Sequence, residues 1–338
     1  MGLNLAVIAP FNVKCGVASY SRDLYDALVK LDVNVYIIKL PRFGIKTQEI
    51  IRNVAESIPI KEIDIIHIQH EYGLYQDKEA DLYGILKRLG KPNITTMHAI
   101  GNYKIDSVVA DYSDVVIVHN EFCKRLFAFP SVIIPHGCKL NETMPIDEAK
   151  KVFGVDSRIP VVGYCGFISE AKGLDTLIDA MVDVKNAGLL IGGGWHVGID
   201  TNYIIKLKQK SFEILQGRCQ WLGYVPDERL KTVYSAMDFV CYPSRWATES
   251  GALLMALGYG KAVVANRLFP FVEKEKKGAL VTFKGVKNLK RKIKKLLKDK
   301  DYRAKLEEGA RNYCMENSWE NVAKKHLDVY NHVLEKSK

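Results

Sequence analysis

Short apolar segments alternate with helix-like segments along the chain, and this alternation limits the possible folds more than any other feature of the sequence. Strands that alternate with amphipathic helices favour a parallel sheet with helices on both faces. Strands are predicted at residues 5–9, 35–40, 63–68, 93–97 and 115–118, and then at 161–165, 188–191, 239–242 and 262–265. Helices are predicted between them, for example at 19–30, 80–89, 175–182, 227–235 and 251–257.

Two such series in 338 residues predict an α/β protein with two doubly wound, Rossmann-like domains that face a central cleft. The series are separated by a polar stretch with weak strand signals and one proline, Pro145. In sheets of this kind, ligands bind beyond the carboxyl ends of the strands. We therefore predict an N-terminal domain at 1–140, a linker at 141–158, a C-terminal domain at 159–318 and a closing helix at 319–338, packed on one domain or across both.

The composition is typical of a globular protein, with 48% hydrophobic and 26% charged residues. The sequence has no run of about 18 apolar residues, so no transmembrane helix is expected. The N-terminus lacks the basic region and cleavage site of a signal peptide and is expected to be a first strand. The seven cysteines form no CxxC pair, and we expect reduced thiols in a cytoplasmic protein.

The net charge of +10 is concentrated in a lysine-rich segment at residues 284–300. Apolar residues in this segment are spaced as one face of a helix. Its basic side is interpreted either as a solvated surface or as a region attracted to anionic lipid headgroups, which would give a peripheral membrane contact. No nucleic-acid partner is expected, because no recognisable nucleic-acid-binding module accompanies the charge.

The first glycine-bearing turn between a strand and a helix is Pro-Phe-Asn-Val-Lys-Cys-Gly-Val-Ala-Ser-Tyr, at residues 10–20. Gly16 allows close approach by a ligand, and Ser19 could cap the following helix. The turn is not GxGxxG, which counts against a dehydrogenase.

A second turn lies within residues 163–175, where a predicted strand is followed by a loop with a lysine, Lys172, at its end. The functional interpretation is a point charge held over a phosphate group. The alternative from spacing alone is a surface lysine before a helix.

A third turn opens the sequence Thr-Glu-Ser-Gly-Ala-Leu-Leu-Met-Ala-Leu-Gly, which starts at Thr248. The backbone amides of Ser250, Gly251 and Ala252 would be unpaired donors at a helix N-terminus and would form an anion site. Glu249 is either an ordinary acidic cap or, if functional, a contact to sugar hydroxyls, because a diphosphate would repel a carboxylate.

Several segments together resemble one family, although each alone is weak. They include Gly-Val-Ala-Ser-Tyr-Ser-Arg-Asp-Leu from Gly16, Asp-Ile-Ile-His-Ile-Gln-His-Glu-Tyr-Gly from Asp64, Thr-Met-His at 96–98 and Ile-Pro-His-Gly at 134–137. Further matches fall in family order at 166–173, 189–194, 221–230 and 242–244. Over nearly its full length the chain resembles the GT-B retaining glycosyltransferases of family four, the glycosyl transferases group 1. The segment from Asp64 is similar to a mannosyltransferase-like branch.

The resemblance implies transfer of a sugar, with mannose favoured, from a nucleoside-diphosphate sugar to a hydroxyl of a glycan, lipid or small molecule. GDP-mannose is the first expectation for the donor and a UDP sugar the second. The resemblance also implies retention of anomeric configuration. We expect no cofactor and no essential metal. Front-face attack, with the leaving phosphate as base, is favoured because we identify no pair of carboxylates for a covalent route.

The same resemblance assigns roles to individual residues. His98 is at the family's active-site histidine, Lys172 contacts the diphosphate, and Val225 lies in the loop near the nucleobase. Glu71 and Tyr72, at a strand end, are candidates for acceptor contact, with loop packing as the alternative.

Three positions depart from the family pattern. Phe167 is near the place of an arginine that would pair with Lys172 on the diphosphate. Ala247 and Met255 stand where the family commonly has two glutamates, and Glu249 lies two residues past the first of these places. A methionine cannot accept a hydrogen bond from a ribose as a carboxylate does.

Other functions on the same architecture remain alternatives at this point: a non-catalytic subunit that binds nucleotide sugars, or a sugar-nucleotide epimerase or phosphorylase. Asp299-Lys300-Asp301 has the letters of a metal-binding DxD motif, but it lies in the lysine-rich segment and is predicted to be a solvated turn.

Overall fold

A computed structural model describes residues 2–13, 15–41, 44–75, 77–101, 103–195 and 201–336. The chain divides into two compact units. The first unit combines Met1–Gly137 with Asn317–Lys338, and the second unit is Cys138–Glu316.

The first half of the chain contains six strands and six helices in alternation within the described ranges. The strands are β1 (Asn4–Pro10), β2 (Asn34–Leu40), β3 (Ile65–His70), β4 (Asn93–Met97), β5 (Val115–Val118) and β6 (Val132–Ile133). The helices are α1 (Gly16–Val29), α2 (Gln48–Glu56), α3 (Tyr72–Tyr75), α4 (Glu79–Arg88), α5 (Ile105–Tyr112) and α6 (Glu121–Phe127).

The remainder of the chain repeats the alternation and then ends in three long helices. The strands are β7 (Val161–Cys165), β8 (Gly188–Gly192), β9 (Cys219–Gly223), β10 (Phe239–Tyr242), β11 (Val263–Asn266) and β12 (Val281–Phe283). The helices are α7 (Ile146–Val152), α8 (Leu174–Met181), α9 (Thr201–Leu215), α10 (Asp227–Ala236), α11 (Gly251–Gly258), α12 (Phe269–Lys276), α13 (Gly285–Lys298), α14 (Lys300–Glu316) and α15 (Trp319–Lys336).

Both sheets have six strands, and every observed pairing is parallel. The strand order is β2-β1-β3-β4-β5-β6 in the first unit and β12-β11-β10-β7-β8-β9 in the second. These are the two orders of doubly wound sheets, in which the chain extends first to one side and then to the other. The predicted α/β class with two doubly wound, Rossmann-like sheets is confirmed.

Apolar residues on both faces of each strand explain why the sheets are covered on both sides. Leu5, Val7 and Ala9 of β1 belong to the core that contains α1 and α15. Ala6 and Ile8 belong to the core on the opposite face. Side chains alternate between faces along a strand, so a continuous apolar run is the sequence of a strand buried on both sides.

Three strands were not predicted, namely β6, β9 and β12. β6 has two residues and β12 has three, which are too few to form a recognisable apolar run. β9 is only partly buried and begins with Cys219 and Gln220. Their positions at the edges of the sheets explain the weak apolar signal, because edge strands pack against fewer neighbours.

The stretch predicted as a linker, 141–158, contains α7 and lies within the second unit. Lys150 of α7 is buried, and its Nζ lies 2.9 Å from Oδ2 of Asp238. The same ammonium group donates to the carbonyl oxygens of Ser157 (3.2 Å) and Ile159 (2.9 Å). These contacts attach the stretch to the sheet of the second unit, and its polar composition therefore did not indicate a free connection.

The C-terminal helix α15 belongs to the first unit, where it packs beside α1 and β1. Val322, Ala323, Tyr330 and Val333 are buried on one face of the helix. The Tyr330 hydroxyl group lies 2.7 Å from Nδ1 of His67 on β3. The first unit is therefore completed by residues that follow the whole second unit in the sequence.

Two of the seven cysteines form a disulfide, between Cys138 and Cys314. Their Cα atoms are 5.0 Å apart although 176 positions separate them in the sequence. Both lie close to the boundaries of the second unit, which brings them together. The expectation of reduced thiols is wrong for this pair, whereas the other five cysteines are not in disulfides.

The basic segment forms α13, and Leu289, Ile293 and Leu296 are buried on its inner face. Lys290 forms an ion pair with Asp183, and Lys295 lies 3.8 Å from the centre of the Tyr302 ring. Among the residues that the structure describes, no helix is long and apolar enough to cross a bilayer. Basic side chains are exposed at Lys284, Lys287, Arg291, Lys294, Lys295 and Lys298.

The buried His326 of α15 predicts a loss of stability in acid. Burial lowers its pKa to about 4, against 6.5 for an exposed imidazole. The unfolded chain therefore binds a proton that the folded chain excludes, so stability is full above pH 6.5 and falls as the pH drops toward 4. We expect urea denaturation to show that the unfolding free energy of the first unit decreases by at least about 3 kcal/mol between pH 7.5 and 4.

The variant His326→Gln serves as the control, because it removes the titrating group. Its unfolding free energy should depend less on pH than that of the wild type. Some dependence should persist, since burial also lowers the pKa of His67. Equal pH dependence in the two proteins would contradict the assignment.

Candidate functional site

In the second sheet, the order in which the chain adds strands reverses between β7 and β10. These two strands are neighbours in the sheet, but β7 continues to β8 on one side while β10 continues to β11 on the other. The loops that leave the carboxyl ends of β7 and β10 therefore diverge and leave a crevice between them. Two of the predicted site segments, the lysine turn and the start of α11, follow these two strands.

The lysine turn is fixed directly on the loop that follows β10. The backbone amide of Arg245 donates to the carbonyl oxygen of Ala171 at 2.8 Å. The Arg245 guanidinium group also donates to the carbonyl oxygen of Glu170 and pairs with Asp175. At Gly173, with a φ of +64°, an added Cβ would lie 2.3 Å from the carbonyl oxygen of Pro243. Only glycine fits this position, because the backbones of the two loops touch there.

Lys172 ends a short 3-10 turn, Glu170–Lys172, immediately before this glycine. Its side chain is half-buried, and burial lowers the pKa of its ammonium group. In the described ranges, no carboxylate lies within salt-bridge distance of the ammonium group, and no hydrogen bond from it is found. A bound anion would compensate for the cost of this burial.

The N-terminus of α11 offers two backbone donors. The Ser250 hydroxyl group accepts from the Leu253 amide at 3.2 Å, and Oε1 of Glu249 accepts from the Ser250 amide at 2.8 Å. The amides of Gly251 and Ala252 have no acceptor within the described part of the chain. The sequence predicted three unpaired amides, whereas the structure leaves two, because Ser250 donates to Glu249.

The helix end lies beside the loop that follows β7. A Cβ on Gly166 would be 3.0 Å from the Cβ of Ala252. The first turn of α11 and the lysine turn therefore both flank this crevice. An anion there would face two amides at the positive end of a helix dipole, together with one ammonium group.

The Glu249 carboxylate is buried and held by partners within the second unit. Its side chain is 6% exposed, and its Oε2 lies 2.8 Å from Nζ of Lys274, which is 3% exposed. Burial alone would lower the pKa of Lys274, but the Glu249 carboxylate raises it above its usual value. Both carboxylate oxygens are thus engaged within the unit, which differs from the predicted role toward sugar hydroxyls.

Val225 follows β9 at the same edge of the second sheet. It is half-buried, and its Cγ2 would lie 2.8 Å from a Cβ placed on Gly192 at the end of β8. The Gly193 amide donates to the carbonyl oxygen of Gly223 at 2.7 Å. The loop that the resemblance assigned to the nucleobase is therefore packed against the loop that follows β8.

The other predicted residues belong to the first unit, at the carboxyl ends of its strands. Gly16 begins α1 after β1, and a Cβ there would meet no atom within 4 Å. Glu71 follows β3, and its Oε2 accepts from the Gly73 amide at 3.0 Å. The Tyr72 hydroxyl group donates to Oδ1 of Asp106 at 2.6 Å and accepts from the Gly101 amide at 3.1 Å. Burial and the Asp106 carboxylate raise the pKa of Tyr72.

His98 follows β4 and is held by a chain of polar contacts. Its Nε2 lies 2.8 Å from Oε1 of Gln69, and its Nδ1 lies 3.5 Å from Nε2 of His119. His119 in turn donates from Nδ1 to the carbonyl oxygen of Ile134 at 3.1 Å. Burial, followed by the neighbouring histidines, lowers the pKa of His98 well below its usual value. The imidazole is therefore neutral at pH 7, which suits a hydrogen-bonding role.

Three residues that shape these sites were not predicted: Gln69, Arg245 and Lys274. Lys274 lies 25 positions after its partner Glu249, in a helix whose other lysine, Lys276, is exposed, so the local sequence gave no signal. Arg245 directly follows the family match at 242–244 and was given no role. Only the observed docking on Ala171 identifies its function.

The positions that depart from the family pattern are also located. The carbonyl oxygen of Phe167 accepts from the Tyr164 hydroxyl group at 2.7 Å, Ala247 is buried, and Met255 is 38% exposed. Oδ1 of Asp299 accepts from the Tyr302 amide at 2.9 Å. Asp299 therefore caps the start of α14, as a turn residue does.

Comparison with known proteins identifies the same family that the sequence motifs resemble. The family model described as "Glycosyl transferases group 1" matches residues 145–313, which is half of the chain. The D-inositol 3-phosphate glycosyltransferase of Corynebacterium urealyticum is 29% identical over 196 residues, which cover 54% of this chain and 46% of that protein. The lipopolysaccharide core biosynthesis mannosyltransferase LpsB of Rhizobium meliloti is 27% identical over 174 residues, 47% of each chain. Each matched stretch therefore spans about half of the relative.

Solved structures resemble the chain over nearly its full length. Anabaena Alr3699/HepE, in complex with UDP-glucose, has a TM-score of 0.81 at 16% identity, covering 98% of this chain and all of that one. At such identity the likeness shows the fold, which is GT-B, and the family model adds the sequence match. The chain belongs to the glycosyl transferases group 1.

Proposed function

We propose that the protein is a retaining glycosyltransferase that moves a sugar from a nucleoside diphosphate to a hydroxyl group. The supporting observation is the crevice between the loops of β7 and β10. There a half-buried lysine and two unpaired amides flank the same space. This combination of one cation and two backbone donors suits the diphosphate of a donor substrate.

In the proposed reaction, the bond between the anomeric carbon and the diphosphate oxygen breaks, and negative charge develops on the leaving group. Lys172 and the amides of Gly251 and Ala252 would stabilise that charge. Glu249 is tied to Lys274, so it does not supply the carboxylate nucleophile of a covalent route. Attack by the acceptor hydroxyl on the face that the diphosphate leaves, with the phosphate as base, gives retention.

The donor is proposed to be GDP-mannose or a UDP sugar. LpsB is named as a mannosyltransferase, and Alr3699/HepE was solved with UDP-glucose, so each donor has one relative in its favour. The nucleobase would lie by Val225 and the diphosphate by Lys172. Backbone groups of residues 223–226 would contact the base.

The acceptor, a glycan, a lipid-linked glycan or a small molecule, is assigned to the first unit. Glu71, Tyr72 and His98 all lie at the carboxyl edge of that sheet. Gly16, at the same edge, is proposed to allow close approach of the nucleotide sugar. His98 is a neutral, hydrogen-bonded imidazole and would position the sugar or the acceptor.

We propose a cytoplasmic location, with α13 contacting anionic headgroups at a membrane surface. Six exposed basic side chains on this helix and its N-terminal flank support the contact. The disulfide weakens the case for this location, because reduced thiols are typical of cytoplasmic proteins.

A non-catalytic nucleotide-sugar-binding subunit is the second candidate. The absence of the family's arginine and paired glutamates, at Phe167, Ala247 and Met255, favours it. Slow hydrolysis of a nucleotide sugar without acceptor would exclude this alternative. Turnover with free phosphate and a glycan would instead indicate a phosphorylase, and conversion of the donor to another sugar nucleotide an epimerase.

The variant Lys172→Ala tests the catalytic role directly. It removes the ammonium group that faces the leaving diphosphate, and we expect kcat to fall by about 100- to 1,000-fold. The fold should persist, since no ion pair of this lysine is found within the described ranges. The measurement is the initial rate of nucleoside-diphosphate release, with Lys151→Ala, an exposed lysine on α7, as control. Near-normal turnover of Lys172→Ala would refute the assignment.

The stereochemical outcome tests the front-face route. Because no carboxylate nucleophile is assigned, retention must arise from attack on the face that the diphosphate leaves. NMR of the product formed in the first minutes should show the anomeric configuration of the donor. An inverted product would overturn the proposed mechanism.

The absence of an essential metal is also testable. Lysine and backbone donors neutralise the diphosphate in the proposed site, so EDTA should leave the rate unchanged. Asp301→Asn, which alters the exposed second aspartate of the DxD letters, should also retain full activity. Loss of activity in EDTA with recovery in Mn²⁺ would contradict this expectation.

A further inference from the structure

The ion pair between Glu249 and Lys274 has a position that stability alone does not explain. Both side chains are nearly fully buried, at 6% and 3% exposure. A buried ion pair is seldom more stabilising than apolar side chains of similar volume, because both charges lose their hydration. This pair lies at the N-terminus of α11, next to the two amides assigned to the diphosphate.

The carboxylate determines which amides of the helix end are free. Oε1 of Glu249 accepts from the Ser250 amide, and Ser250 in turn caps Leu253 through its hydroxyl group. The remaining donors are those of Gly251 and Ala252. A negative charge held in this way would nevertheless repel an approaching diphosphate.

Lys274 removes that repulsion from within the protein. Its Nζ contacts the other oxygen of the carboxylate, Oε2, at 2.8 Å, and also lies 5.8 Å from the centre of the Tyr313 ring on α14. The pair has no net charge, while Glu249 retains its acceptor for the Ser250 amide. The helix end is thus organised by a carboxylate and remains attractive to anions.

We propose that Lys274 is a positioning residue for the donor diphosphate. Lys274 holds and neutralises Glu249, so that the N-terminus of α11 can bind the diphosphate. This inference rests on the proposed function of the crevice. Lys274 acts through Glu249 and does not touch the substrate.

The test is a double-mutant cycle on affinity, measured by calorimetry with UDP and GDP and with the corresponding nucleosides. Lys274→Met leaves one negative charge, Glu249→Gln leaves one positive charge, and the double variant is neutral and keeps an amide oxygen for Ser250. For the nucleoside diphosphate that the wild type binds more tightly, Lys274→Met should weaken binding at least about tenfold. The double variant should return to within about threefold of the wild type, and Glu249→Gln should bind more tightly than the double variant.

Nucleoside affinity separates this role from a purely structural one. A nucleoside has no phosphate, so its affinity should be the same in all four proteins. Lys277→Met is the matched control, since this lysine follows α12 and pairs with Glu316 at the surface. It should bind the diphosphate as the wild type does.

Several results would overturn the inference. The first is an unchanged diphosphate affinity in folded Lys274→Met, and the second is a parallel loss of nucleoside affinity in that variant. The third is a double variant that binds the diphosphate as weakly as Lys274→Met does. If Lys274→Met does not fold, the comparison of Glu249→Gln with the double variant decides, and equal affinities refute the charge effect. If the wild type binds neither UDP nor GDP, the proposed function fails as well.

Discussion

The close approach of two backbones in the second unit underlies the whole candidate site. Gly173 lies against the carbonyl oxygen of Pro243, and Arg245 donates its amide to Ala171. These contacts join loops from two neighbouring strands whose chains run to opposite sides of the sheet. Lys172 therefore extends from a turn that is hydrogen-bonded to the loop preceding α11. Preorganisation of this kind is what electrostatic stabilisation of a leaving group requires.

Two lysines near this crevice show how the same side chain takes different roles. Lys172 is half-buried, and burial lowers its pKa. Lys274 is fully buried beside Glu249, which raises its pKa. The first is a cation available to a ligand, and the second is a cation already used by the protein. The number of lysines near a site therefore says little about its charge until the partner of each is known.

The fold was largely predictable from sequence, because strands buried on both faces produce continuous apolar runs. Nine strands were recognised in this way, whereas the short or edge strands β6, β9 and β12 were not. In the site, the loops carrying Lys172 and Gly251 were found from local glycine patterns. The roles of Glu249 and α7 were not, because each depends on a partner distant in sequence, Lys274 in one case and Asp238 in the other. The disulfide between Cys138 and Cys314 was not predicted for the same reason, because 176 positions separate the two cysteines.

The placement of α15 in the first unit has a consequence for biosynthesis. The residues that bury β1 and α1, including Val322 and Tyr330, are translated after the entire second unit. Domains generally fold in the order in which they leave the ribosome. Here the nascent first unit emerges early with one face of its sheet covered by α1 but not yet by α15, and it remains so while the second unit is made. During translation the later part of the sequence can thus reach its native state before the earlier part, and the apolar surface that α15 buries stays exposed until α15 is made.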